Sequence, residues 1–334
     1  GDHPIMFFSG DFIFVGDVGR PDLLEKAAGL AGTQELGARQ MFESLKKFRT
    51  LPDFVQVWPG HGAGSACGKA LGAVPSSTVG YEKLVNWALG EKKEKRFIER
   101  LLDGQPEPPK YFAMMKKLNK TGAPMLRDTP RPKRLSLREF DDALGKNMTV
   151  VDTRPMSHYA EAHIRGSLFI PDNLSLSTWA GWLLDYKTPF VVIAEENRVE
   201  ELTRKFVRIG LDNIYGYLPN LDEWMLVGRP LEKSEALSVD ELKTALMKNQ
   251  AIVVDVRSKA EFDEGHLRNA KHIYLGYLSD RLKEIPKDKK IVLQCESGSR
   301  SGMAAGLLLS KGFKNVADLT GGITAWKQAG TSSA

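Results

Sequence analysis

The chain repeats itself. Val150-Val151-Asp152-Thr153-Arg154 returns as Val253-Val254-Asp255-Val256-Arg257, and His163-Ile164-Arg165 returns as His266-Leu267-Arg268, both at an offset of 103 positions. Trp224 and Trp326 repeat at an offset of 102. Solenoid repeats recur every ~20–50 residues, so a period this long marks a duplicated domain.

Each copy has one rhythm. A short apolar run (Thr149–Val151; Ala251–Val256) leads to a helix-like stretch and then to a second apolar run (Phe190–Ala194; Lys290–Gln294). A helix follows up to Gly210 or Gly312, then a strand (Asn213–Tyr217; Asn315–Leu319) and a Trp-bearing helix. Strands alternating with helices predict a parallel sheet covered on both faces. Ser136 and Ser238 each stand before an amphipathic stretch with Glu139 and Glu241 three residues on, a capping box in both copies. The prolines at 106, 108, 109, 124, 130 and 132 break any long helix and predict a linker over 104–134. The expected order is therefore a separate region at 1–103, the linker, a first repeat at 135–235 and a second at 236–334. Within 1–103 the strand-like runs are Ile5–Ser9, Phe12–Val15 and Phe54–Trp58, with a Gly-rich turn at 60–64 and helical stretches at Gly37–Phe48 and Gly80–Leu102.

Composition removes several classes. Apolar residues at 42% and charged residues at 27% are those of globular proteins. No run reaches the ~18 apolar residues of a membrane-crossing helix, so no membrane partner is expected. The net charge of +5 is spread along the chain, and its one local excess, Arg127 to Arg138, reads as a solvated linker, so nucleic acid is not expected either. Two cysteines, Cys67 and Cys295, are too few for a disulfide framework and point to a reducing, cytoplasmic setting in which any functional Cys acts as a thiol; Cys67 reads as a small buried residue.

Cys295 stands where the apolar run Ile291–Gln294 ends. Glu296, Ser297, Gly298 and Ser299 lead to Arg300 and Ser301, where a small-residue helix begins. A loop of this kind turns successive N–H groups inward, the helix start adds partial positive charge and Arg300 a full one. Such a cradle favours a thiolate nucleophile and would hold the terminal sulfur of a persulfide. Two other readings exist. A lone Cys is often just a buried core residue, but the polar loop argues against that. A phosphatase-type loop has five residues between Cys and Arg; here there are four, a ring better sized for sulfur.

Asp255-Val256-Arg257, Glu261-Phe262, Gly265-His266-Leu267, the loop from Cys295 to Arg300 and Gly321-Gly322-Ile323 with Trp326 together resemble the rhodanese family over about residues 236–330. The resemblance implies a doubly wound α/β fold, a persulfide on Cys295 assisted by Arg300, and no cofactor for this domain. Asp255 and Arg257 match positions beside the active-site face, and an ion pair or strand-end hydrogen bonds is the favoured role for them. His266 is expected to be structural. In the first repeat Glu195 or Glu196 falls where Cys295 stands, on a loop about two residues shorter, and no Cys occurs between 68 and 294. That copy is expected to be catalytically silent.

Two strings near the start, Gly10-Asp11 with Gly16-Asp17-Val18-Gly19-Arg20-Pro21-Asp22 and Trp58-Pro59-Gly60-His61-Gly62, set an acid and an imidazole at strand ends beside glycines. They resemble the C-terminal half of a metallo-β-lactamase αββα domain of the persulfide dioxygenase type. The resemblance implies a mononuclear Fe(II) held by two His and one Asp, with Asp11 as the Asp ligand, His61 as a neighbour of an incomplete site and Arg20 near a thiol-persulfide substrate. The His-x-His-x-Asp-His string of that fold is absent, so the chain is expected to be a piece of a longer protein. The expected chemistry is sulfur transfer through Cys295, within a fusion that oxidises sulfide and persulfides to sulfite and thiosulfate. Thiol persulfides, thiosulfate and sulfite are the expected small-molecule partners, with self-association left open. The rival is a binding module that never turns over.

Overall fold

The computed structural model describes residues 3–26, 32–63, 65, 67–69 and 71–330, in two compact units, Gly1–Lys116 and Lys117–Ala334.

The second unit holds two five-stranded sheets with every strand parallel. In the first, the order is Lys133–Arg134, Ile214–Leu218, Phe190–Ile193, Thr149–Asp152, Leu168–Phe169; in the second it is Glu235–Leu237, Val316–Leu319, Lys290–Gln294, Ala251–Asp255, Lys271–His272. The two orders are the same, which is the duplication seen in three dimensions. Phe190–Ile193 is apolar and buried throughout and Lys290–Gln294 is so at its middle residues Ile291, Val292 and Leu293, as expected when helices cover both faces. Leu135, Phe140, Val150, Val191, Leu218 and Trp224 form one core, and Leu237, Leu242, Val253, Val292, Ile323 and Trp326 the corresponding one. Both expected capping boxes form, at Ser136/Glu139 and Ser238/Glu241, each contributing about 1 kcal/mol.

The strand Lys133–Arg134 pairs with Gly216 and Tyr217, so the first sheet begins inside the segment expected to be linker. That segment also contains the helix Tyr111–Thr121. Its eleven residues fit between Pro109 and Pro124, so the prolines bound the helix rather than forbid it.

In the first unit, Met6–Gly10 pairs in parallel with Gln56–Pro59, which pairs antiparallel with Ser77–Thr78. Phe12–Val15 is not a strand; it forms a tight loop closed by the Ile13–Val18 bridge. The stretch Gly80–Leu102 is three helices, Val79–Val85, Trp87–Gly90 and Glu94–Leu102. Asn86 causes the first break: its Oδ1 accepts from Ala88 N–H while its Nδ2 donates to the Asp17 carbonyl and to Glu82. Gly64 of the Gly-rich turn lies outside the described residues.

The two copies pack directly on each other. The helix Ser299–Ser310 of the second lies on the Leu168–Phe169 strand of the first. Gly302 and Gly306 make this possible: a Cβ at Gly306 would sit 2.8 Å from the Tyr159 hydroxyl, and one at Gly302 would sit 2.8 Å from the terminal methyl of Met156. Tyr159 is buried and donates to the Ser167 carbonyl at 2.9 Å, so it has little freedom to yield, whereas the end of a Met side chain does. Gly306→Ala is therefore expected to cost about 1–3 kcal/mol in chemical denaturation and Gly302→Ala clearly less; equal costs would show that this interface is soft.

Candidate active site

Cys295 follows the central strand Lys290–Gln294 directly, at the point where the sheet meets the helix Ser299–Ser310. Its residue is 1% exposed. The Sγ accepts from the Gly298 N–H at 3.1 Å and lies 3.5 Å from the Ser301 hydroxyl. Gly298 takes φ +116°, a conformation that aims its N–H at the sulfur and that L side chains rarely adopt. No heavy atom lies within 4 Å of where a Cβ would stand on it.

The loop is held from below by the helix Gly322–Gln328. Ile323 N–H donates to the Cys295 carbonyl at 2.8 Å and Thr324 N–H to the Glu296 carbonyl at 3.2 Å. Gly322 permits this approach: it has φ +60°, and a Cβ there would lie 2.4–2.6 Å from the backbone of Cys295 and Glu296. Glu296 is fastened on both sides, to Thr324 Oγ1 at 3.0 Å and to Arg257 at 3.3 Å. Arg257 in turn forks onto the fully buried Asp255 and donates to the Gly265 carbonyl at 2.7 Å. This pair ties the first strand end to the thiol loop. His266 is structural too, stacked on Phe262 with centroids 3.8 Å apart and bonded to the Phe262 carbonyl. Ser297 and Ser299 flank Gly298 in the loop.

Arg300 does something other than the sequence suggests. Both arms of its guanidinium are taken by Glu261, at 2.7 and 2.6 Å. Glu261 also closes a capping box with Ser258, one that was not recognised in the sequence. Burial opposes ionisation of Glu261, but Arg300 and Ser258 outweigh it and bring the carboxyl down to about 2. Arg300 thus locks the first turn of its helix to the helix Lys259–Asp263, and its charge reaches the sulfur only as half of an ion pair.

Sequence reasoning missed Asp318. It lies on the strand Val316–Leu319, beside Leu293, and is 4% exposed. Its Oδ2 is 3.4 Å from the Ser301 hydroxyl, which itself donates to the Gly298 carbonyl at 2.9 Å. Burial pushes this carboxyl up to about 6, and the Ser301 bond only partly opposes the rise. An acid inside an otherwise apolar strand was the available signal.

The first copy differs at each of these points. Asp152 pairs with Ile193 as Asp255 pairs with Gln294, so the residue in the place of Cys295 is Ala194, not Glu195 or Glu196. From there to Gly210 the chain is one residue shorter than from Cys295 to Gly312, rather than two. By the same register Tyr217 replaces Asp318, and Pro219-Asn220 stands where the second copy has Thr320-Gly321-Gly322. Without the glycine turn pressing on the loop, a cleft of about 600 Å³ remains, lined by Thr153, Arg154, Ala194, Glu195, Asn220 and Leu221 among others.

In the first unit, Asp11, His61 and Cys67 bring O, N and S atoms within 4.8 Å of one another. His61 Nε2 lies 3.3 Å from Asp11 Oδ1, and its Nδ1 lies 3.0 Å from Ser65. Burial pushes the Cys67 thiol up. Of the two His and one Asp implied for iron, the group contains the Asp and a single His, His61, which the resemblance sets beside the site, so these residues do not complete that set. Arg20 is buried and committed to Asp22 at 2.8 and 2.6 Å, an ion pair inside the protein rather than an open substrate contact. No helix among the described residues is long and apolar enough to cross a membrane.

A family model for the rhodanese-like domain matches residues 136–226 and 238–329, more than half of the chain. The chain belongs to the rhodanese-like family. Its second rhodanese-like domain carries the thiol and its first does not. Among curated relatives, a sulfurtransferase of Allochromatium vinosum is 38% identical over 79 residues, 24% of this chain and 74% of that protein. The thiosulfate sulfurtransferase GlpE of Pseudomonas fluorescens is 32% identical over 83 residues, 25% of this chain and 76% of its own length. A solved metallo-beta-lactamase from Staphylococcus aureus is similar at 44% identity with a TM-score of 0.59, over 65% of this chain; the chain spans 60% of that structure. The α/β class, the parallel sheets, the tandem rhodanese-like domains and a metallo-β-lactamase neighbour for part of the chain all agree with the sequence reading.

Two outcomes follow from this geometry. Gly322→Ala is expected to lower stability by roughly 1–3 kcal/mol and to slow alkylation of Cys295, as its new methyl group pushes the loop away. For Asp318, a carboxyl raised to about 6 in the folded protein holds its proton more tightly there than in the unfolded chain. The fold therefore loses stability as pH rises from about 4 through 6, and the penalty is complete above that. Asp318→Asn should stabilise the protein on the order of 2 kcal/mol at pH 8 and not at pH 3, as read from denaturation midpoints at the two pH values.

Proposed function

We propose that the chain is a sulfurtransferase that carries sulfane sulfur on Cys295. The observation that carries this reading is the Gly298 N–H aimed at Sγ in a loop whose Cys295 and Glu296 carbonyls are held by the N–H groups of Ile323 and Thr324. With thiosulfate, the Cys295 thiolate attacks the outer sulfur and forms a new S–S bond. The old S–S bond breaks, and sulfite leaves with the electron pair. The terminal persulfide sulfur then rests against the Gly298 N–H. An acceptor such as cyanide or a thiol attacks it, and the electrons of the S–S bond return to Cys295. The relatives named as sulfurtransferases support the same chemistry. Two half-reactions that share one enzyme form give ping-pong kinetics.

The metallo-β-lactamase likeness and the Asp11–His61–Cys67 group support a wider role. In that role the chain is part of a persulfide dioxygenase–rhodanese fusion that oxidises sulfide and persulfides to sulfite and thiosulfate. Asp11 would be one ligand to a non-haem iron whose other ligands are not in this group. Stoichiometric iron in the natively purified protein supports the wider role, and its absence overturns it. For the transfer itself, thiosulfate should add the mass of one sulfur atom at Cys295, and Cys295→Ser should take up none and lose turnover. Substantial turnover in that variant would sink the reading.

A further inference from the structure

A buried line of three groups runs from the thiol into the domain: Cys295 Sγ, the Ser301 hydroxyl at 3.5 Å, and Asp318 Oδ2 at 3.4 Å from that hydroxyl. All three residues are at most 4% exposed. The elements packed around Asp318 offer it no counter-charge. Leu293 and Ala236 flank it in the sheet. Lys290 and Glu235 pair with each other at the N-terminal ends of their strands. Arg300 is taken by Glu261, and Lys327 is exposed. A buried acid without a cation destabilises a fold unless something retains it. The copy without the thiol has neither member of the pair's ends, with Ala194 for Cys295 and Tyr217 for Asp318.

We propose that Asp318 is a positioning residue that takes the Cys295 proton through Ser301, so that thiol and carboxyl share one proton across the hydroxyl. In one state the S–H donates to Ser301 Oγ, and the Ser301 O–H turns to the Asp318 carboxylate. In the other, Ser301 has passed its proton to Asp318 and received that of Cys295; its O–H now faces the thiolate, and the carboxylic acid donates to Oγ. One proton moves at each end, no charge is created, and no water needs to enter the closed loop. The Ser301 O–H leaves the Gly298 carbonyl during the exchange. The carboxyl, lifted by burial to about 6, titrates where such an acceptor works near neutral pH.

This inference rests on Cys295 being the sulfur carrier, but its test does not depend on sulfur transfer. Iodoacetamide labelling of wild-type protein and Asp318→Asn is followed across pH, with Cys295 and Cys67 separated by peptide mass. The wild-type Cys295 rate should fall as pH drops through about 6. In Asp318→Asn that acid limb should move up to the higher pH range of an ordinary thiol, and labelling at neutral pH and kcat for thiosulfate-to-cyanide transfer should both fall on the order of a hundredfold, with KM for thiosulfate unchanged. Ser301→Ala should move the limb up as well, and Ser301→Thr, which keeps the hydroxyl, should leave it where the wild-type protein has it. Asp318→Asn labelled with the wild-type pH profile and rate overturns the relay. Failure of wild-type protein to gain sulfur from thiosulfate overturns the sulfur-carrier reading instead, and the labelling profile still decides the relay.

Discussion

Two backbone hydrogen bonds, from Ile323 and Thr324 to the carbonyls of Cys295 and Glu296, set the geometry on which the thiol loop depends. They turn those carbonyls away from the sulfur, so the nearest backbone group facing it is the Gly298 N–H. This needs two backbones closer than any Cβ allows, which is why Gly322 sits at φ +60° between them. The side-chain ties of Glu296 and Arg257 secure a loop already shaped by that contact.

Comparison of the two copies separates what the fold needs from what the loop needs. Both keep the strand order, the capping boxes, the strand-end Asp–Arg pair and a stacked, carbonyl-bonded His. The first lacks the thiol, the glycine turn, the acid on the neighbouring strand and the Arg300–Glu261 lock: counted back from Gly210, the place of Arg300 holds Arg198, which pairs with Asp172 instead, and the place of Glu261 holds His158. These features are absent together, as expected if they serve one site. The first copy still supports the second, because its Tyr159 and Phe169 press on the helix that begins at the thiol loop.

Much of this was legible in the sequence. A repeat near 100 residues, apolar runs ending in Asp, capping boxes and a Cys at a strand end are local patterns, and local patterns survive in one dimension. The pairing of Arg300 was not legible, because Glu261 lies 39 positions away and only the packing of two helices brings them together. Placing Ala194 against Cys295 needed strand register, since sliding short apolar runs by one residue leaves the pattern unchanged. Asn86 reads as a helix residue until its side chain is seen bonding to the Asp17 carbonyl.

The sequence by itself therefore determined the α/β class, the duplication, the family and the identity of the one candidate nucleophile in it. The tertiary structure decided which groups act on that nucleophile. Arg300 is drawn to Glu261, and Asp318 on the adjoining strand is brought, through Ser301, within two hydrogen bonds of the sulfur. The physical reason is that a thiol, an alcohol and an acid on a strand end, a helix and the adjoining strand meet only when the chain folds them out of water and into contact.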